Sequence, residues 1–209
     1  MLNTTHFMLL RHGLPEQAGH LLGRTNPALT EQGWQQMRRS AATLNFDIII
    51  SSPLIRCQHF ASRLATERGA ELRVLPQWQE LDFGLWDGKS IASLWEDERQ
   101  AYSQYWHDPF IHTPPEGETS VALLARVSES INQLSRQYRG KRVLIVTHSG
   151  VMRITLSWLM SGAHQGNPHL SRIQLDHAAI LEFNTYLDDE DKLWPRLQGL
   201  LNPSVPPSL

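Results

Sequence analysis

The sequence predicts an α/β fold: a three-layer sandwich with a mainly parallel central sheet flanked by helices, and a small, mostly helical insertion over the crevice at the strand ends. Three observations predict it. Short continuous apolar runs end abruptly in charged or hydroxyl residues, as strands buried on both faces do. Segments of helical periodicity alternate with these runs, the pattern of helices layered on a sheet. A chain of 209 residues, 41% of them apolar, suffices for one well-buried core and not for two. One domain over 1–209 is therefore expected, with residues 78–115 as a cap subdomain.

Phe7-Met8-Leu9-Leu10 reads as a buried strand that delivers Arg11, His12 and Gly13 to its C-terminal end. Thr30 can cap a helix with Trp34, Met37, Ala41 and Leu44 on one face. Asp47-Ile48-Ile49-Ile50 is a second strand run, ending at Ser51-Ser52-Pro53. Pro53 fits the first turn of the next helix, with Ser52 as its cap and Gly69 as its stop. Residues 78–115 interleave Trp86, Trp95, Tyr102, Tyr105, Trp106 and Phe110 with acids and show no strand run, which predicts the helical insertion. A long helix is expected from about Ser120 to Arg139, with Val121, Leu124, Ile131 and Leu134 inward. Val143 to Thr147 forms another strand run ending at His148-Ser149-Gly150, and a helix follows from near Val151 to before Gly162. The tail from Pro195 to Leu209 lacks an amphipathic period and is expected to be loosely attached.

Charge and cysteine usage narrow the function. Nineteen Lys and Arg oppose 21 Asp and Glu, a formal net charge of −2, which argues against a nucleic-acid binder. Cys57, the single cysteine, cannot pair within the chain, so a reducing, cytoplasmic setting is expected. The longest apolar runs are too short to cross a bilayer, and no cleavable leader is visible. His107 with His112, and His164 with His169, lie five residues apart, not the spacing that aligns two metal ligands on one helix face. No metal site is expected.

Strand ends present Arg11 and His12, then Arg56 one turn into the following helix, then His148. Gathering such groups without an anion is unfavourable, and a phosphoryl group removes the conflict. Arginine forks match phosphate oxygens, and the amides of Ser149 and Gly150 at a helix start could add donors.

Four segments carry a specific resemblance: Leu10-Arg11-His12-Gly13, Ser51-Ser52-Pro53-Leu54-Ile55-Arg56-Cys57, Gln79-Glu80-Leu81-Asp82-Phe83-Gly84-Leu85-Trp86-Asp87-Gly88, and Val146-Thr147-His148-Ser149-Gly150-Val151. With Gly23-Arg24, Leu29-Thr30 and Gly33 between them, they resemble the successive signatures of the histidine phosphatase, or phosphoglycerate mutase-like, superfamily over residues 9–183. The resemblance implies that His12 is a nucleophile forming a phosphohistidine, and that Arg11, Arg56 and His148 hold the phosphoryl oxygens. It implies that Glu80 is the general acid and then the base. Arg24 and Ser149 are further expected phosphate ligands. The scheme requires neither metal nor cofactor; its partner is a small phosphomonoester. Many members place an Asn a few residues after the Arg-His-Gly, where this chain has Leu14, Pro15, Glu16, Gln17 and Ala18. One phosphate-loop donor is therefore missing or replaced, and Arg24 is the expected partial substitute.

The other eight histidines, His6, His20, His59, His107, His112, His164, His169 and His177, read as surface or structural groups. Cys57 reads as a small buried residue, and the aromatic rings of residues 86–110 as core of the insertion, with stacking on a planar substrate as the less favoured alternative. Between Glu80 and Asp97 the only basic residue is Lys89, which favours hydrolysis over a mutase reaction that must hold a second anionic group. Trp34, Phe83-Gly84-Leu85-Trp86 and Pro114-Pro115-Glu116-Gly117-Glu118 look most like the α-ribazole phosphatases of cobalamin assembly. A broad-specificity phosphatase, a phosphoglycerate mutase and a non-catalytic phospholigand-binding domain are the alternatives.

Overall fold

The computed structural model of the chain describes residues 3–203. Six strands form one sheet in the order β3-β2-β4-β1-β5-β6. They are β1 (Thr4–Arg11), β2 (Ile48–Ser51), β3 (Glu71–Val74), β4 (Arg142–Thr147), β5 (Ile180–Leu187) and β6 (Leu193–Leu201). The pairs β3-β2, β2-β4 and β4-β1 are parallel, and β5 runs antiparallel to both β1 and β6. The sheet is mainly parallel, as expected, and β5 alone is reversed.

Each central strand feeds both faces because successive side chains alternate. Phe7 and Leu9, Ile48 and Ile50, and Val143 and Ile145 join a cluster with helices α5 (Ser120–Gln137) and α6 (Ser149–Leu159). Met8 and Leu10, Ile49, and Leu144 and Val146 join the opposite cluster with α1 (Glu31–Ala41) and α2 (Ile55–Arg68). This double burial explains why those strands read as continuous apolar runs. Thr30 caps α1 through Gly33 N, and Met37, Ala41 and Leu44 face inward while Trp34 is half-buried. Gly69 ends α2 in the left-handed region, φ 62°.

Several expectations change. The second helix begins at Ile55, not at Pro53, and Leu54 caps it without a side-chain bond; Asn26 Oδ1 takes the Ile55 N–H at 2.8 Å. Val121 is 59% exposed, and the inward face of α5 is Leu123, Val127, Ile131 and Leu134. The shift arises because Ser120, Ser130 and Ser135 are also buried, so hydrophobicity alone misplaces the stripe. The tail is not loose through residue 201: β6 pairs with β5 from Leu193 to Leu201. Its exposed edge position hides the amphipathic signal; residues 204–209 of that expectation lie outside the described residues.

Residues 78–115 contain α3 (Ile91–Asp97), α4 (Arg99–His107) and short 3-10 turns, and no strand of the sheet. Trp86, Tyr102 and Tyr105 are buried there and pack edge to face. A short α7 (His169–Arg172) precedes β5. Among the described residues no helix is long and apolar enough to cross a membrane.

Candidate active site

The C-terminal ends of β1, β2 and β4 lie side by side, and the chain leaves each of them carrying a polar group into one crevice. His12 follows β1, its N–H bonded to Thr147 O at 2.9 Å. Gly13 then passes so close to α1 that a β-carbon on it would meet Gly33 O at 2.1 Å; only glycine fits there. His148 follows β4. The His12 and His148 rings stand 5.2 Å apart, edge to face.

His12 Nδ1 lies 2.8 Å from Gly13 O. A carbonyl can only accept, so Nδ1 carries the proton and Nε2 keeps its lone pair. Burial, then the Arg56 and Arg11 charges, hold the His12 pKa well below the ordinary value, which keeps the ring neutral. His148 is fully buried and pushed down by burial and Arg56 in the same way. Its Nε2 meets Ser52 Oγ at 2.8 Å, with the Cys57 thiol 3.6 Å away. Cys57 is buried and its thiol is raised to about 12, so it is an inert packing residue.

Two arginines supply the charge. Arg56 is 0% exposed, and Nη1 and Nη2 donate to Thr25 O at 3.1 Å and Leu22 O at 2.5 Å. The loop that accepts these bonds is clamped by Asp87, whose carboxylate takes N–H bonds from Gly23, Arg24 and Thr25 at 2.7–2.9 Å. Arg11 donates from Nη1 to Leu175 O, and burial lowers its pKa to about 10. Among the described residues neither guanidinium has a carboxylate within ion-pair distance. The Nε of each is buried with no hydrogen-bond partner among them. One buried and one half-buried cation with unused donors are what an oxyanion satisfies.

Glu80 is 6% exposed. Oε1 accepts from Leu81 N at 3.0 Å and Oε2 from Gly150 N at 3.1 Å, with Ser149 Oγ at 3.5 Å. The Gly150 amide therefore serves Glu80 and not the phosphate role expected of it. Arg126 on α5 fixes the backbone beneath: it pairs with Glu118 and donates to Gln77 O, Gln79 O and Glu80 O at 2.6–3.2 Å.

Arg11, His12, Glu80 and Ser149 line a cavity of about 310 Å³, with Arg56 and His148 buried beside it. Its apolar wall is Leu21, Leu22, Phe83, Ile91 and Trp106, and Gln17, His20 and His177 also line it. Arg24 is not among the lining. Its guanidinium bonds Asp82 and Gln79 at 3.0 Å and faces a separate surface depression, because the Asp87 clamp turns the loop outward there.

Sequence reasoning missed three residues. His177 was expected to be a bystander, yet its ring lies 5.8 Å from that of His12. Arg153, one turn along α6 from Ser149, enters the cavity over Trp106, 6.0 Å from the ring centre, with Nη2 bonded to Ile173 O at 3.1 Å. Lys89, the one basic residue between Glu80 and Asp97, pairs with Glu98 and does not line the cavity, whereas Arg153 brings a cation there from α6. Asp87 was quoted in a motif without a role; its place among glycines and turn residues was the available signal. Among the described residues no cluster of three His, Cys, Asp or Glu side chains is placed to hold a metal ion.

These features describe a cationic, anion-accepting crevice at the strand ends of an α/β sheet. The chain matches the histidine phosphatase superfamily (branch 1) over residues 7–193 and belongs to that family. It is 31% identical over 190 residues to a bifunctional protein of Mycobacterium tuberculosis, covering 88% of this chain and 51% of the relative, so it spans about half that relative's length. It is 28% identical over 157 residues to the adenosylcobalamin/alpha-ribazole phosphatase of Escherichia coli, covering 73% of this chain and 77% of the relative. The fold superimposes on mycobacterial glucosyl-3-phosphoglycerate phosphatase, solved with VO3, at TM-score 0.84 and 23% identity, covering 95% and 99% of the two chains.

Proposed function

We propose that the protein is a metal-independent phosphomonoester hydrolase that works through a phosphohistidine on His12. The observation that carries the reading is the pair of guanidiniums, half-buried Arg11 and fully buried Arg56, that lack carboxylate partners among the described residues beside a neutral His12 with Nε2 free. His12 Nε2 attacks phosphorus, the phosphorus–oxygen ester bond breaks, and Glu80 gives its proton to the departing oxygen. Nδ1–H, held by Gly13 O, supports the charge that the ring gains. Water then attacks the phosphohistidine as Glu80 takes its proton; the nitrogen–phosphorus bond breaks and inorganic phosphate leaves. Arg11, Arg56 and His148 stabilise the phosphoryl oxygens throughout.

The proposed substrate is α-ribazole 5′-phosphate or the corresponding late cobalamin phosphate, whose flat apolar base suits the wall of Phe83, Ile91 and Trp106. The relative of 28% identity acts on alpha-ribazole by its name. Residues 78–115 serve as the cap of a single domain, and the cytoplasm is the proposed compartment. The test is hydrolysis of p-nitrophenyl phosphate with chelator present, followed by comparison of kcat/KM for α-ribazole 5′-phosphate, 3-phosphoglycerate and simple sugar phosphates. Turnover with chelator, and highest efficiency on the riboside, are expected. Absence of turnover points to a phospholigand-binding domain; preference for a small sugar phosphate removes the cobalamin assignment and keeps the hydrolase.

A further inference from the structure

Three imidazoles meet at the phosphoryl pocket, and the third has no part in the scheme above. His148 and His177 both neighbour His12, at ring separations of 5.2 and 5.8 Å. They differ in what they can reach. His148 is fully buried with Nε2 against Ser52 Oγ, whereas His177 lines the cavity itself.

The turn that carries His177 is built onto the strand end that carries His12. Ala178 N donates to His12 O at 3.3 Å, and Arg11 N donates to Ala179 O at 2.9 Å. Ser40 Oγ on α1 donates to Ala178 O at 2.8 Å, and Asp176 N donates to Asn202 Oδ1 at 2.8 Å. Ala178, fully buried, holds φ at +61°, a left-handed conformation that alanine seldom adopts. Such a turn fixes the His177 backbone relative to that of His12, which keeps its side chain at the cavity.

We propose that His177 is a substrate-binding residue that donates an imidazole N–H to a non-bridging oxygen of the phosphoryl group held over His12. The inference rests on the hydrolase reading. The groups that face the ring are Arg11 and His12 from the end of β1 and Asp176 from its own turn. Burial and Arg11 lower its pKa to about 4, against the pull of Asp176, so at neutral pH it is uncharged. A neutral imidazole still carries one N–H donor, and adds it without a third positive charge beside Arg11 and Arg56.

The experiment compares the wild type with His177→Asn, which keeps a side-chain N–H, and His177→Leu, which does not. Binding of inorganic phosphate and orthovanadate is measured directly, and kcat and KM are measured on p-nitrophenyl phosphate. His177→Leu is expected to weaken phosphate and vanadate binding about tenfold or more, as loss of a hydrogen bond to a charged group does, with His177→Asn recovering most of it. Unchanged binding in His177→Leu, or equal losses in both variants, would overturn the assignment. Imidazole NMR of the wild type gives a second readout that needs no variant to fold: the His177 resonance moves as inorganic phosphate is added, and a stationary resonance overturns the proposal. A wild type that binds phosphate through His177 yet hydrolyses nothing leaves this inference standing and removes the hydrolase reading.

Discussion

Gly150 and Glu80 are matched in shape. The Gly150 N–H bonds Glu80 Oε2 at 3.1 Å, and a β-carbon on residue 150 would stand 2.3 Å from Glu80 Oε1. The glycine that opens α6 thus makes the space in which the proposed acid rests. Gly150→Ala is expected to displace that carboxylate and lower kcat by about a hundredfold, with overpacking costing about 1–3 kcal/mol. Steady-state kinetics and a denaturant melt check both; an unchanged kcat would show that the carboxylate works from elsewhere.

Glu80→Gln keeps the shape and removes the proton. With an alkyl phosphate, whose leaving oxygen needs protonation, kcat/KM, which reports the steps through transfer to His12, should fall about 10²–10⁴-fold. With p-nitrophenyl phosphate, a better leaving group, the loss in kcat/KM should be much smaller, while kcat still falls because Glu80 also serves as base for the water that frees the phosphate. Equal losses of kcat/KM on both substrates would deny Glu80 the role of acid.

His12→Ala should reduce turnover on the order of a thousandfold or more, because the proposed route places its phosphohistidine on this ring. Alkaline quench of the wild type during turnover should trap phosphate on His12 as a base-stable adduct that acid then releases. Absence of the adduct at early times would place the chemistry on direct attack by water.

Stability should fall on acidification. In the folded chain the pKa values of His12 and His148 lie well below 6.5, and those of His169 and His177 are at about 4. The unfolded chain binds protons at these histidines near the ordinary value, so between about pH 6.5 and 4 it holds more protons than the folded chain. The contribution is therefore complete above about pH 6.5 and is lost as pH falls through that window. Thermal melts from pH 8 to 4.5 should show a falling Tm, with a smaller fall in the His169→Gln variant.

How much of this was legible in the sequence follows from burial. β1, β2 and β4 are covered on both faces, so their apolar runs announced them, and with them His12 and His148. β3 is a short edge strand of exposed and half-buried residues, and β6 is the other edge, so neither gave a run. β5 alternates buried and exposed residues from Phe183 onward, a period-two pattern that a strand search can read. Arg11, Arg56 and Glu80 were legible because they sit in ordered motifs. His177 and Arg153 were not, since their approach to the cavity depends on how the segment before β5 and α6 fold over the strand ends. Arg24 shows the reverse: a motif position whose backbone is captured by Asp87, which carries its side chain away from the pocket. Arg24→Ala, which breaks a half-exposed ion pair with Asp82 and a hydrogen bond to Gln79 outside the pocket, should change kcat/KM less than about threefold.

Arg153 offers the sharpest separation of binding from chemistry. Its guanidinium lies over Trp106, is tied to Ile173 O, and lines the cavity with Phe83 and Leu22. Arg153→Met keeps the length of the side chain and removes the charge and the donors. If the residue contacts the leaving group, KM for a ribose-containing phosphate should rise about tenfold with kcat changed little, since an interaction made equally in ground and transition states affects binding alone. The same variant should treat p-nitrophenyl phosphate, which has no ribose hydroxyls to accept hydrogen bonds, almost as the wild type does. A fall in kcat on both substrates would instead place Arg153 with Glu80, stabilising the charge of the carboxylate that faces it.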